Sequence, residues 1–186
     1  MKTKWYKSKT FMGWFIIIVM VASSIGFALI QGQGEKSSER EYKGFKFYQQ
    51  QQGWFTRINE QQFSFRYLPE ELENISMGII NTGTNKNYIL YDPSEEELNK
   101  DYFYRRVGSI LVYMGITPQL ACSKEEDCPN IPVRDCKEGF SMIYLKYGNE
   151  TKTYNEDNCL IAEAKDNVEL DKISERIIYK LLGIMG

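Results

Sequence analysis

The chain opens on an uninterrupted apolar run. Phe11–Ile30, FMGWFIIIVMVASSIGFALI, holds twenty residues without a charge. At about 1.5 Å per helical residue it spans about 30 Å, the hydrocarbon thickness of a bilayer. Lys2, Lys4, Lys7 and Lys9 precede it with no acid between them, and Trp5, Tyr6 and Trp14 suit the headgroup level. The pattern predicts a basic cytoplasmic tail at residues 1–10 and a single-pass anchor in the lipid bilayer at 11–30, with everything after Ile30 outside. A cleaved signal peptide is the competing reading, with Gly26-Phe27-Ala28 as its small-x-small site. The run is longer than an ordinary signal core, however, and Leu29-Ile30 continue it past that site. Either reading exports the same domain. Residues 31–41, QGQGEKSSERE, are polar and lack apolar periodicity, which predicts a linker.

From Tyr42 the period changes to two. Phe45 and Phe47 alternate with Lys46 and Tyr48. Trp54-Phe-Thr-Arg-Ile is a second run, Asn59-Glu60 a tight turn, and Phe63, Phe65 and Tyr67 share one face of a third run. Alternation, aromatic enrichment and short spacers predict an antiparallel β-meander. One helical turn at Glu70–Ile75 and a weak strand at Ser76–Ile80 follow, then a strand at Asn87–Tyr91.

Asp92-Pro93-Ser94-Glu95-Glu96-Glu97 reads as a helix start, with a cap at Asp92 or Ser94, proline in the first turn and acids on the positive end of the dipole. A carboxylate metal site is the lesser reading of the same acids. Leu98, Tyr102, Val107, Ile110, Leu111 and Met114 recur at helical spacing up to Gly115. Residues 119–139 read as a long loop. Strands at 140–147, 151–154 and 159–164 follow. The last helix is capped by Asp166 or Asn167 and carries Leu170, Ile173, Ile177, Ile178, Leu181 and Leu182 on one face. The fold class is therefore α+β. An N-terminal transmembrane helix leads to a domain at 42–186, built as a meander and a β-α-β-β-α unit whose helices pack on one sheet face.

Composition narrows the chemistry. The 186 residues include no histidine, which removes Ser-His-Asp and Cys-His catalysis and His-ligated zinc from this chain. Beyond residue 30 there are 19 basic and 25 acidic side chains. An acidic domain without a basic, aromatic-interleaved patch argues against nucleic acid as a partner. No phosphate-binding glycine loop, nucleophile elbow or EF-hand pattern is present. Glu125-Glu126-Asp127 reads as a solvated acidic loop rather than a cation site. The aromatics of residues 42–67 read as core, with an aromatic face for a partner or carbohydrate as the alternative.

The cysteines carry the main signal. Cys122, Cys128, Cys136 and Cys159 all lie on the exported side. An even number there reads as two disulfides, with three connectivities open. Loop logic favours Cys136 with Cys159, joining the edges of two neighbouring strands, and Cys122 with Cys128 across the acidic loop. Their spacings do not match the close pairs of a four-cysteine zinc site. The strand and helix order has a thioredoxin-like flavour, but there is no C-x-x-C. Asn74-Ile-Ser and Asn149-Glu-Thr are sequons on turns, permitted glycosylation sites.

The layout resembles uncharacterised small single-pass membrane proteins of archaea. Residues 19–29 of the anchor, Gly44-Phe-Lys-Phe with Trp54, and the cysteine-bearing end at 122–159 carry the resemblance. It implies no activity, cofactor or catalytic residue. The expected function is a non-enzymatic binding or envelope-organising domain whose partner is an unknown protein or cell-surface component. The alternative is an exported thiol-disulfide oxidoreductase or an unrecognised hydrolase.

Overall fold

A computed structural model describes residues 13–22, 38–95 and 99–186. It divides into two compact units, Met1–Ser38 and Glu39–Gly186. In the first, residues 13–22 are helical and exposed throughout. Among the described residues no helix is long and apolar enough to cross a membrane. The rest of the expected anchor (11–12 and 23–30), the tail at 1–10 and the linker up to residue 37 lie outside the described residues.

The second unit is α+β. Strands β1 (Glu39–Tyr42), β2 (Phe45–Gln50), β3 (Gly53–Ile58) and β4 (Gln61–Phe65) form an antiparallel meander in chain order. The domain therefore starts three residues earlier than expected. Glu39, Arg40 and Glu41 pair with Tyr48, Phe47 and Lys46 instead of belonging to the linker. Lys43-Gly44 and Asn59-Glu60 all have positive φ, the conformation that matches a two-residue hairpin turn to strand twist. Gly53 is required for a steric reason, because a Cβ there would meet the Phe65 carbonyl oxygen at 2.3 Å.

The second sheet is mixed. It contains β5 (Lys86–Tyr91), β6 (Thr117–Cys122), β7 (Ser141–Tyr147), β8 (Lys152–Glu156) and β9 (Cys159–Ala164) in the order β6-β5-β7-β9-β8. The first four are parallel and β8 is antiparallel to β9. Strand β6 corrects the expected loop at 119–139, and four strands, not the two of a β-α-β-β-α unit, follow the first helix. Its sequence, TPQLAC, carries a proline that only an edge strand tolerates.

Helix α1 (Lys100–Tyr113) starts later than the acidic run suggests. Asn99 is its cap, accepting from the Tyr102 amide at 3.3 Å. Asp92 instead closes a turn on itself, accepting from the amide and hydroxyl of Ser94. The proline and short polar side chains compete locally with the helix, and here the turn wins. Helix α2 (Asn167–Leu181) is capped by Asp166 as expected. The weak strand at 76–80 lacks a backbone ladder. Its chain runs beside β8, held by Thr153 and by Asn155, whose amide both accepts from Ile79 N and donates to Ile79 O.

One apolar cluster joins both sheets through the helices. Ile89, Ile143, Leu145, Leu160 and Ala162 face α1 and α2, and Phe47, Phe63 and Phe65 close on them from the meander. Tyr179 of α2 is fully buried, with the Phe65 ring stacked on it at 4.2 Å. Helix α2 is buried on nearly all sides, as a layer between two sheets must be.

Candidate functional site: a disulfide-walled trough

Among the described residues of the second unit, no helix packs on the other face of the mixed sheet. Its side chains alternate with those of the core face, so Tyr88, Leu90, Met142, Tyr144, Cys159 and Ile161 point that way. The chain from β6 to β7 lies over them. It is tied to the β6 edge by Cys122 N to Pro132 O and Arg134 N to Cys122 O, both at 2.9 Å. The Arg134 guanidinium lies 5.0 Å from the Tyr88 ring centre and 5.6 Å from that of Phe140.

Between this loop and the sheet lies a trough of about 440 Å³. Its floor is a single cross-strand row, since Leu90 pairs with Tyr144 and Tyr144 with Ile161. Residues 133–138 form its wall, Ser123 and Lys124 one end, and Glu156 and Asp157 another part of the rim. Tyr144 donates a long hydrogen bond of 3.4 Å to Ser123 Oγ. Lys124 pairs with Asp92 at 2.5 Å.

The electrostatics limit the chemistry. The Asp92 carboxylate holds the Lys124 ammonium above its usual value, so it stays protonated at neutral pH. Burial opposes ionisation of Asp92, but its bonds to Lys124 and Ser94 outweigh this and hold it below the ordinary carboxylate range. Tyr144 donates to Ser123 Oγ and the Lys124 ammonium is committed to Asp92, so among the described residues no hydrogen-bonded base faces the Ser123 hydroxyl. Glu95 accepts from Tyr147 N at 3.1 Å, and burial raises its carboxyl.

The four cysteines form two bonds, Cys122–Cys128 and Cys136–Cys159, with S–S distances of 2.05 and 2.04 Å. These are the pairs that loop logic favours, with one difference. Cys136 lies in the loop rather than on the edge of a strand, so its bond pins the trough wall to the first residue of β9. All four sulfurs are engaged, which leaves no thiolate for zinc. Glu125, Glu126 and Asp127 are exposed in the smaller disulfide loop, and no metal-holding cluster occurs among the described residues.

Both sequon asparagines are exposed. Of their hydroxyl partners, Ser76 Oγ donates to Thr153 O and Thr151 Oγ1 is buried without a hydrogen-bond partner. The meander aromatics divide. Phe47, Phe63 and Phe65 are core, whereas Tyr48 and Phe55 pair on the opposite face over a basin with Lys46 and Arg57. Sequence reasoning missed Ser123, Arg134 and Tyr144 as neighbours. The missing signal was β6, whose pairing with β5 brings residue 123 to the sheet.

Comparison with family models, curated proteins and solved structures yields no match.

Proposed function

We propose that this chain is a membrane-anchored extracytoplasmic domain with a non-enzymatic role, binding a protein or cell-surface partner or organising the envelope. The anchor at 11–30 and the tail at 1–10 rest on the apolar run and the lysines that precede it. The outside placement is favoured by the cysteines, since two disulfides that use every cysteine belong to an oxidising compartment.

The observation that carries the binding reading is the trough. It is open and walled by a cross-linked loop, and its Lys124 is held as an ammonium by the ion pair with Asp92. It offers shape and mixed polarity without an activated nucleophile, which suits recognition better than turnover. The oxidoreductase alternative would need a low-pKa cysteine close to a resolving one, and each bond here has one wholly buried sulfur.

The full chain, purified in detergent without reductant, tests this. It should show no turnover of thiol, disulfide or ester substrates. Turnover abolished by Ser123→Ala, or by Cys136→Ser in a protein that remains folded, would favour an enzyme instead.

A further inference from the structure

Two cations converge on one tyrosine near the start of β5. Tyr88 lies on the helix-free face of the mixed sheet and is only 3% exposed. Lys86, the first residue of β5, places its Nζ 4.9 Å from the Tyr88 ring centre. Arg134 reaches the same ring from the β6–β7 loop, and its Nη2 donates a long hydrogen bond of 3.4 Å to the Tyr88 hydroxyl. The Arg134 contact, and after it Lys86, outweigh burial and hold that hydroxyl below the ordinary tyrosine range.

Each of the three groups lacks the partner that its charge or proton calls for. Among the described residues Lys86 forms no ion pair or hydrogen bond with a carboxylate and meets only the ring. Arg134 faces one carboxylate, Glu138, at 3.7 Å, beyond hydrogen-bond distance, and its Nε is buried without an acceptor. Nothing among the described residues accepts the Tyr88 proton, because both polar neighbours of the hydroxyl are donors. A tyrosine this buried ordinarily finds an acceptor. Gln119 takes the next place on the same cross-strand row, and its amide too is without a hydrogen bond among the described residues.

We infer that Lys86, Arg134 and Tyr88 form a binding site for a phosphate-type oxyanion. Two cations balance a dianion. The guanidinium fork, the ammonium and the phenol can each donate to a different oxygen of a tetrahedral group, whereas a carboxylate has one charge and two oxygens, which a guanidinium alone can satisfy. Lys86 and Arg134 are half-buried and the Phe140 ring, packed against Tyr88, is 41% exposed, so the site borders solvent while the phenol forms its back. Glu138 is the anion that competes for Arg134.

Only Arg134 is shared with the trough. The inference depends neither on the anchor nor on what the trough holds, and its failure would leave the binding reading untouched.

The full chain, purified in detergent and freed of phosphate, is titrated calorimetrically with inorganic phosphate, acetate and dihexanoyl phosphatidic acid. Saturable binding of phosphate is expected, at least about tenfold tighter than that of acetate. Lys86→Gln and Arg134→Gln should each weaken it about tenfold, and Tyr88→Phe about threefold. Arg134→Lys keeps the charge without the fork and should fall between wild type and Arg134→Gln. Glu138→Gln should tighten binding about threefold, a gain that damage to the fold would not produce. Phosphatidic acid bound more tightly than phosphate, with the same losses in the variants, would mark a lipid headgroup as the source. Equal affinity would mark a soluble or polymer-borne phosphate. No saturable binding of phosphate, acetate bound as tightly as phosphate, or a phosphate affinity unchanged in both Lys86→Gln and Arg134→Gln would overturn the inference.

Discussion

Glu175 shows how much one side chain can carry in this fold. It lies on α2, its side chain only 3% exposed. Its carboxylate accepts from the amides of Arg66 and Tyr67 and from Arg106 Nη2, at 2.8 to 3.1 Å. Arg106 in turn donates to Ser64 O. The pair thus satisfies the Ser64 carbonyl on β4 and the two amides just past the end of that strand. Glu175→Gln replaces an acceptor by a donor facing those amides, and should cost about 2–4 kcal/mol in urea unfolding. Burial raises the Glu175 carboxyl above its ordinary value, outweighing the amide bonds and the nearby arginines. Between the ordinary and the raised value, the folded chain keeps a proton that the unfolded chain has released. The residue's contribution to stability therefore falls as pH rises through that window. The stability difference between wild type and Glu175→Gln should shrink from the glutamate range toward neutrality. A difference that grows with pH would contradict this.

At the level of elements, the two disulfides and the 76–80 segment make separate predictions. The bonds close spans of 23 and 6 residues in sequence separation. Chain entropy assigns about 3.5 kcal/mol to Cys136–Cys159 and about 2.4 kcal/mol to Cys122–Cys128. Double serine variants of each pair, unfolded in urea, should rank in that order. Asn155→Ala removes both bonds to Ile79 and should cost about 1–2 kcal/mol, with loss of amide-exchange protection at Ile79. Protection retained at Ile79 would mean that the segment has other support. Elements with strong periodicity were legible in the sequence. Strands β2 to β4 of the meander, β9 and α2 follow from alternation or a helical stripe, whereas β1 was hidden in the polar linker pattern. What escaped depended on contacts distant in sequence. TPQLAC has no alternation, and it is a strand because β5 offers it an edge. The acids after Asp92 obey capping rules, yet the Asp92–Ser94 turn and the Lys124 ion pair compete for the same carboxylate. The cysteine pairing was approachable through loop length. The trough was not, because it exists only once the β6–β7 loop lies across the sheet.

At the scale of the whole molecule, the proposed function gives the two parts of the chain different solvents. An apolar run with lysines before it is suited to a bilayer and a cytoplasmic start. A disulfide-bonded α+β unit from Glu39 onward is suited to the oxidising side. The central proposal is that the basic tail at 1–10 and the disulfide-bonded unit lie on opposite sides of the membrane in which residues 11–30 sit. Protease treatment of intact cells, with epitope tags at both ends of the chain, tests it most directly. The account predicts that the C-terminal tag is lost while the N-terminal tag stays protected until the membrane is breached. Protection of the C-terminal tag in intact cells, with digestion of the N-terminal one, would contradict it.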